Sequence, residues 1–108
     1  MYIIKSKNYL KSYKKKIENK HLTKEAERIK NIENLLSAST NLQTVMTSPY
    51  KNIYHIEQKT GNLKEIYTAR INDKLRLIMK PQGAYPYNQI EIEEIEFIDI
   101  DDKHYKEG

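Results

Sequence analysis

The sequence predicts an α+β fold: an N-terminal strand, a two-helix hairpin, then a three-stranded antiparallel meander with both helices on one sheet face. Apolar residues recur at helical spacing between Tyr9 and Leu36, and from Tyr54 onward the period changes to two. Turn residues then divide the second half: Lys59-Thr60-Gly61-Asn62, Asn72-Asp73-Lys74 and "PQGAYPYN".

Tyr2-Ile3-Ile4 is a short β-prone run. Ser6 caps a first helix, with Tyr9, Leu10, Tyr13 and Ile17 on its apolar side and lysines on the other. Asn19-Lys20-His21 interrupts it. Thr23 is the expected N-cap of a second helix, whose buried stripe runs through Ala26, Ile29, Ile32 or Glu33, and Leu36. Glu25 and Glu27 lie near its start, where the helix dipole favours acid. Residues 37–52 read as an irregular connector pinned to the core by Leu42, Val45 and Met46. Tyr54 and Ile56 then alternate with His55 and Glu57 as in a strand, and residues 64–71 and 75–80 form a hairpin. Residues 90–100 give the last strand, whose alternation slips at Glu93-Glu94 and predicts a bulge there.

The 108 residues fit a single domain spanning 1–108. Without cysteine there is neither a disulfide framework nor a thiolate metal site, and three scattered histidines show no zinc-ligand spacing. No apolar run approaches the roughly 18 residues of a membrane span, and the opening "MYIIKSKNYL" lacks a signal-peptide core, so a cytoplasmic protein is expected. The net charge of +4 is unevenly spread. Residues 5–30 hold ten lysines and arginines against three glutamates, whereas residues 91–102 hold seven acidic residues and no basic one. That imbalance favours a polyanion or an acidic protein as partner, although a lysine-rich composition alone would look the same.

In "IYTARINDKLRLI", residues 66–78, two arginines point into one hairpin. Residues of one parity in adjacent strands share a face, so Arg70 and Arg76 can both reach the side away from the helices. A one-residue slip in register would separate them. Each would equally suit a surface ion pair with Glu91 or Glu93 of the neighbouring strand.

The stretch "NLQTVMTSPYKNIYHIEQKTGNLKEIYTARINDKLRLIMKP", together with the later "IEFIDIDDKHY", resembles the RelE/ParE toxin superfamily of type II toxin–antitoxin systems, and within it the HigB-like branch. The shared features occur in order at Leu42, Pro49, His55, Gly61, Tyr67, Arg70-Ile71-Asn72, Arg76-Leu77-Ile78 and His104. They cover roughly two thirds of the chain. The resemblance implies a RelE-like fold and a ribosome-dependent mRNA endoribonuclease, silenced by a cognate helix-turn-helix, HigA-like antitoxin. It implies a reaction without metal or cofactor, in which a 2′-hydroxyl attacks the adjacent phosphate.

Such a reaction needs a general base, a general acid and cations against the charge gathering on phosphorus. Arginine suits the last role because its planar fork holds two phosphate oxygens at once. The resemblance places Arg70, Arg76, His55, His104 and Tyr105 at the catalytic site. Histidine can give or take a proton near neutral pH. The HigB-like pattern ends in Asp-Tyr-His; here Asp99-Ile100-Asp101 stands in that place, and His104-Tyr105 come three residues later. Lys74 and Lys80 border the hairpin as contacts for the RNA backbone, while Tyr9, Tyr13 and Tyr67 read as core. Two alternatives are a ParE-like gyrase-inhibiting toxin and a catalytically degenerate basic RNA-binding module.

Overall fold

The computed structural model describes residues 1–102. Strand β1 (Tyr2–Lys5) leads into α1 (Lys7–Tyr13), which a π-helical turn extends over Lys14–Glu18. Next come α2 (Thr23–Ala38) and two short helices, α3 (Leu42–Met46) and α4 (Tyr50–Ile53). β2 (Glu57–Gln58), β3 (Tyr67–Arg70), β4 (Arg76–Pro81) and β5 (Glu94–Asp101) complete the described chain. The strands form one sheet in the order β1-β5-β4-β3-β2, with β1 parallel to β5 and the other pairs antiparallel.

The helices form where the pattern expects them. The Ser6 hydroxyl accepts from Tyr9 N at 3.0 Å, the N-cap bond that starts α1. Tyr9 and Ile17 are buried, but Leu10 stays half exposed. The buried stripe runs 9, 13, 17, and Leu10 lies on its flank, over the shallow cleft between α1 and α2. α2 buries Ile29, Ile32 and Leu36, which settles the choice between Ile32 and Glu33. Its N-cap is Leu22, with Thr23 as the first helical residue and no side-chain cap. The Met1 ammonium donates to the carbonyls of Leu36 at 2.9 Å and Ser37 at 3.1 Å, a cation set at the negative end of α2.

The connector is more ordered than its composition suggests. The Asn41 side chain caps α3, and Leu42 and Val45 are fully buried, as expected of the residues that pin it. The segment around His55 is not a strand. α4 runs into it, Tyr54 closes that helix, and His55 turns the chain with a φ of 50° before β2 begins at Glu57. The bulge also lies elsewhere. Ile78 faces Asp99 and Met79 faces Phe97, which leaves Ile98 as the extra residue in β5. This insertion lets both Phe97 and Ile100 reach the core, and both are fully buried. Glu93 simply precedes the strand.

The core therefore lies between one sheet face and the two long helices, where Tyr67, Leu77, Met79, Ile95 and Phe97 meet Tyr9, Ile29, Ile32 and Leu36. Side chains of the other parity, Thr68, Arg70, Arg76, Ile78 and Lys80, occupy the second face.

Candidate anion-binding site

Register decides the site. Arg70 and Arg76 are direct partners across the β3–β4 ladder, so their side chains leave the same face side by side. The acidic residue across from Arg76 on the third strand is Asp101, not Glu91 or Glu93, because β5 begins only at Glu94. Arg76 curls over the hairpin turn, and its Nη1 donates to the carbonyls of Asn72 at 2.7 Å and Leu75 at 3.1 Å. Burial and the neighbouring Arg70 charge lower its pKa from the usual arginine value, an effect that Asp73 and Glu57 partly offset. Arg70 keeps a loose contact with the exposed Asp73, Nη2 to Oδ1 3.8 Å, worth little in water.

The turn is built to hold these two residues in step. Asn72 Oδ1 accepts from the amides of Lys74 and Leu75, each at 2.8 Å, and Asn72 Nδ2 donates to Glu25 Oε2 of α2 at 2.9 Å. Arg28, also on α2, donates from Nε to Arg70 O at 2.7 Å and from Nη2 to Ile53 O at 2.9 Å. Its guanidinium also lies 5.0 Å from the centre of the Tyr54 ring. One side chain thus ties the end of β3 to the turn that carries His55. Arg70 N closes the same junction by donating to Tyr54 O at 2.8 Å.

Two further charged groups share the face. Glu57 is paired in register with Thr68, whose neighbour on the next strand is Ile78, and its charge is felt at Arg76. Lys59, two residues on, is only 8% exposed, and its Nζ lies 3.1 Å from Glu57 Oε1. The buried Lys59 ammonium is thus paired with the Glu57 carboxylate at the sheet edge.

The site residues read from the sequence fall into three groups. Arg70 and Arg76 come together, and the exposed His55 is next in the chain after Tyr54, whose carbonyl bonds Arg70 N. Lys74 sits exposed at the hairpin tip, whereas Lys80 lies four residues along β4 and faces Glu65 at 3.7 Å. His104 and Tyr105 lie outside the described residues. Arg28, Glu57 and Lys59 escape sequence reading. Arg28 pairs with carbonyls 25 and 42 residues away, for which no local pattern exists. Glu57 and Lys59 did carry a signal, since their spacing of two puts them on one face once β2 is recognised. Among the described residues no cluster of three or more His, Cys, Asp or Glu side chains is placed to hold a metal.

No family model matches the sequence, and no curated protein matches it. Solved structures do. YafQ from E. coli is similar with a TM-score of 0.61 and 17% identity, over 93% of this chain and 90% of YafQ. YafQ in the E. coli DinJ–YafQ toxin–antitoxin complex gives 0.62 and 19%, over 93% and 89%. A YoeB/ParE toxin from Agrobacterium tumefaciens gives 0.54 and 14%, over 96% and 100%. The chain has the fold of these toxins. This is the RelE-like architecture that the sequence resemblance implied, with a fifth strand, β2, added at the sheet edge. The HigB-like branch rests on the sequence resemblance alone. No described helix is long and apolar enough to cross a membrane.

Proposed function

We propose that this protein is the toxin of a type II toxin–antitoxin pair, and that it cuts mRNA on the ribosome by metal-independent attack of a 2′-hydroxyl on the adjacent phosphate. The observation that carries the reading is the direct opposition of Arg70 and Arg76. Like charges facing each other across a ladder repel and weaken the sheet. A phosphate between them turns that repulsion into two attractions, and each guanidinium offers a fork for its oxygens. The shared fold with YafQ, which forms a toxin–antitoxin complex with DinJ, supports an antitoxin partner, here of the helix-turn-helix, HigA-like kind.

In this mechanism Arg70 and Arg76 bind the non-bridging oxygens and stabilise the charge of the phosphorane. The 2′-oxygen bonds to phosphorus and gives its proton to a base, the bond to the 5′-oxygen breaks, and an acid protonates that oxygen. The products are a 2′,3′-cyclic phosphate and a 5′-hydroxyl end. In this reading His55, which follows the Tyr54 whose carbonyl accepts from Arg70 N, is a proton-transfer group, and Glu57, whose charge acts on Arg76, is a further candidate. His104 and Tyr105 complete the proposed catalytic set, with Lys74 and Lys80 along the RNA backbone.

The test is to add purified protein to translating ribosomes and map mRNA 5′ ends. Cuts within translated codons are expected from the parent and not from Arg76→Lys, which keeps a donor for the turn carbonyls but loses the fork. Unchanged cleavage by folded Arg70→Gln and Arg76→Lys variants overturns the reading. Intact mRNA together with blocked DNA supercoiling by gyrase establishes the ParE-like alternative in its place.

A further inference from the structure

At the hairpin tip, a groove of about 590 Å³ opens between the π-helical end of α1 and the 72–75 turn. Lys15, Lys16 and Lys20 line one wall, Lys74 the other, and Leu22 and Leu75 add apolar surface. Asp102 is the one carboxylate among these lining residues. Lys16 donates to Ile100 O at 2.8 Å, which fixes its ammonium beside the end of β5, while Lys15, Lys20 and Lys74 are exposed. The helix widens here: Asn19 N reaches back to Lys14 O at 2.8 Å and Leu22 N to Ile17 O at 3.1 Å, each spanning five residues. Ile17 stays buried through this turn, and the lysines around it stay outside.

The groove and the arginine pair share a wall. Asn72 and Leu75 line the groove, and their carbonyls are the acceptors of Arg76 Nη1. We infer that the groove holds the sugar–phosphate backbone of single-stranded RNA flanking the linkage bound at Arg70 and Arg76; this rests on the reading of that pair as a phosphate clamp. A strand gripped at Arg76 and continuing over the hairpin tip meets Lys74 and then the lysines of α1. Lysines act there as point charges that position phosphates without reading sequence. Leu22 and Leu75 offer ribose and base faces a surface that demands no hydrogen bond. An acidic protein segment would satisfy the lysines but has no reason to continue to the arginine pair.

The experiment measures binding of a fluorescent, uncleavable 2′-O-methyl oligoribonucleotide of about ten nucleotides, within the usual span of a single-strand site. The parent is compared with a Lys15→Gln/Lys20→Gln/Lys74→Gln triple variant and with Arg76→Lys, each checked for an unchanged circular dichroism spectrum. The triple variant is expected to bind about tenfold more weakly, with a salt dependence shallower by roughly two in log–log slope for three lost phosphate contacts. A trinucleotide is expected to bind parent and triple variant alike. An unchanged affinity and slope in the triple variant, with Arg76→Lys weakened, refutes the groove and leaves the arginine reading intact. The reverse pattern refutes the clamp and with it the continuous path from Arg76 into the groove. Displacement of polyglutamate but not of RNA from the groove, lost in the triple variant, assigns it to an acidic protein and overturns the inference. Lys20→Gln alone, in a smaller version of the same shift, serves if the triple variant fails to fold.

Discussion

Arg28 is the side chain whose removal tests how the site is held. It donates two charge-assisted hydrogen bonds to backbone carbonyls, Arg70 O at 2.7 Å and Ile53 O at 2.9 Å, and lies over Tyr54. Hydrogen bonds from charged donors contribute about 1.5–3 kcal/mol each when buried. This residue is partly exposed and water can replace it at both carbonyls, so about 1 kcal/mol each is the fitting figure. A partly exposed cation–π contact adds roughly 0.5 kcal/mol. Arg28→Ala should therefore cost about 2.5 kcal/mol, which for a domain of this size lowers Tm by roughly 10–20 °C. Arg28→Lys should recover about half, since one ammonium on a flexible stem cannot span both carbonyls. Thermal unfolding by circular dichroism gives the magnitude. Amide hydrogen exchange at Arg70 gives the location, because that amide bonds Tyr54 O in the same junction and should lose protection first. An Arg28→Ala variant within about 0.5 kcal/mol of the parent, as for an ordinary surface substitution, would refute the clamp.

The same geometry leads to three other outcomes. Arg70→Gln should leave Tm unchanged or raise it, by relieving the repulsion at Arg76, and should show a smaller Tm increase in inorganic phosphate than the increase expected of the parent; a large loss of stability would show that Arg70 is structural. Because His55 adopts a φ of 50°, His55→Ala should destabilise by about 1 kcal/mol whereas His55→Asn should not, so only activity lost in folded His55→Asn speaks for proton transfer. Burial raises the tyrosine pKa of Tyr9 and Tyr67, and that of Tyr87 to about 12, so between the unfolded value near 10 and those folded values the native state holds more protons. Stability should thus be complete below pH of about 10 and fall as pH rises through the folded values, with a shallower fall in Tyr87→Phe; a flat Tm over that range contradicts the burial of these hydroxyls.

What the sequence disclosed is what periodicity can carry. Ser6 and the 9-13-17 spacing define α1, Ile29, Ile32 and Leu36 define the buried side of α2, and parity alone put Arg70 and Arg76 on one face. The misplaced features each depend on distant parts of the chain. Tyr54 and Ile56 alternate like strand residues, yet Arg28 and Arg70 hold Ile53 and Tyr54 by their carbonyls and a left-handed residue intervenes. The β5 bulge at Ile98 is set by β4 and α1, since Ser6 and Asn8 both bond Ile98 O, and no local residue announces it. Lys59 reads as a solvated turn lysine until its neighbours bury it against Glu57.

The arginine pair itself depends on a single register, and the turn explains why that register holds despite the repulsion. A hairpin with Arg70 and Arg76 opposed would gain by slipping one residue, but the slip would turn one strand over, exchanging Leu77 with Ile78 or Ala69 with Thr68 between the two faces, and each of these residues is buried where it now sits. Asn72 adds a local lock, since its side chain accepts two turn amides and also reaches Glu25 on α2. Arg76 joins that lock by bonding Asn72 O and Leu75 O, so the residue that suffers the repulsion also fastens the turn that enforces it. Core burial worth about 2 kcal/mol per aliphatic side chain outweighs an exposed like-charge contact of about 1 kcal/mol or less. The fold can therefore keep two cations in opposition on its second face, because the packing of the sheet outweighs their repulsion.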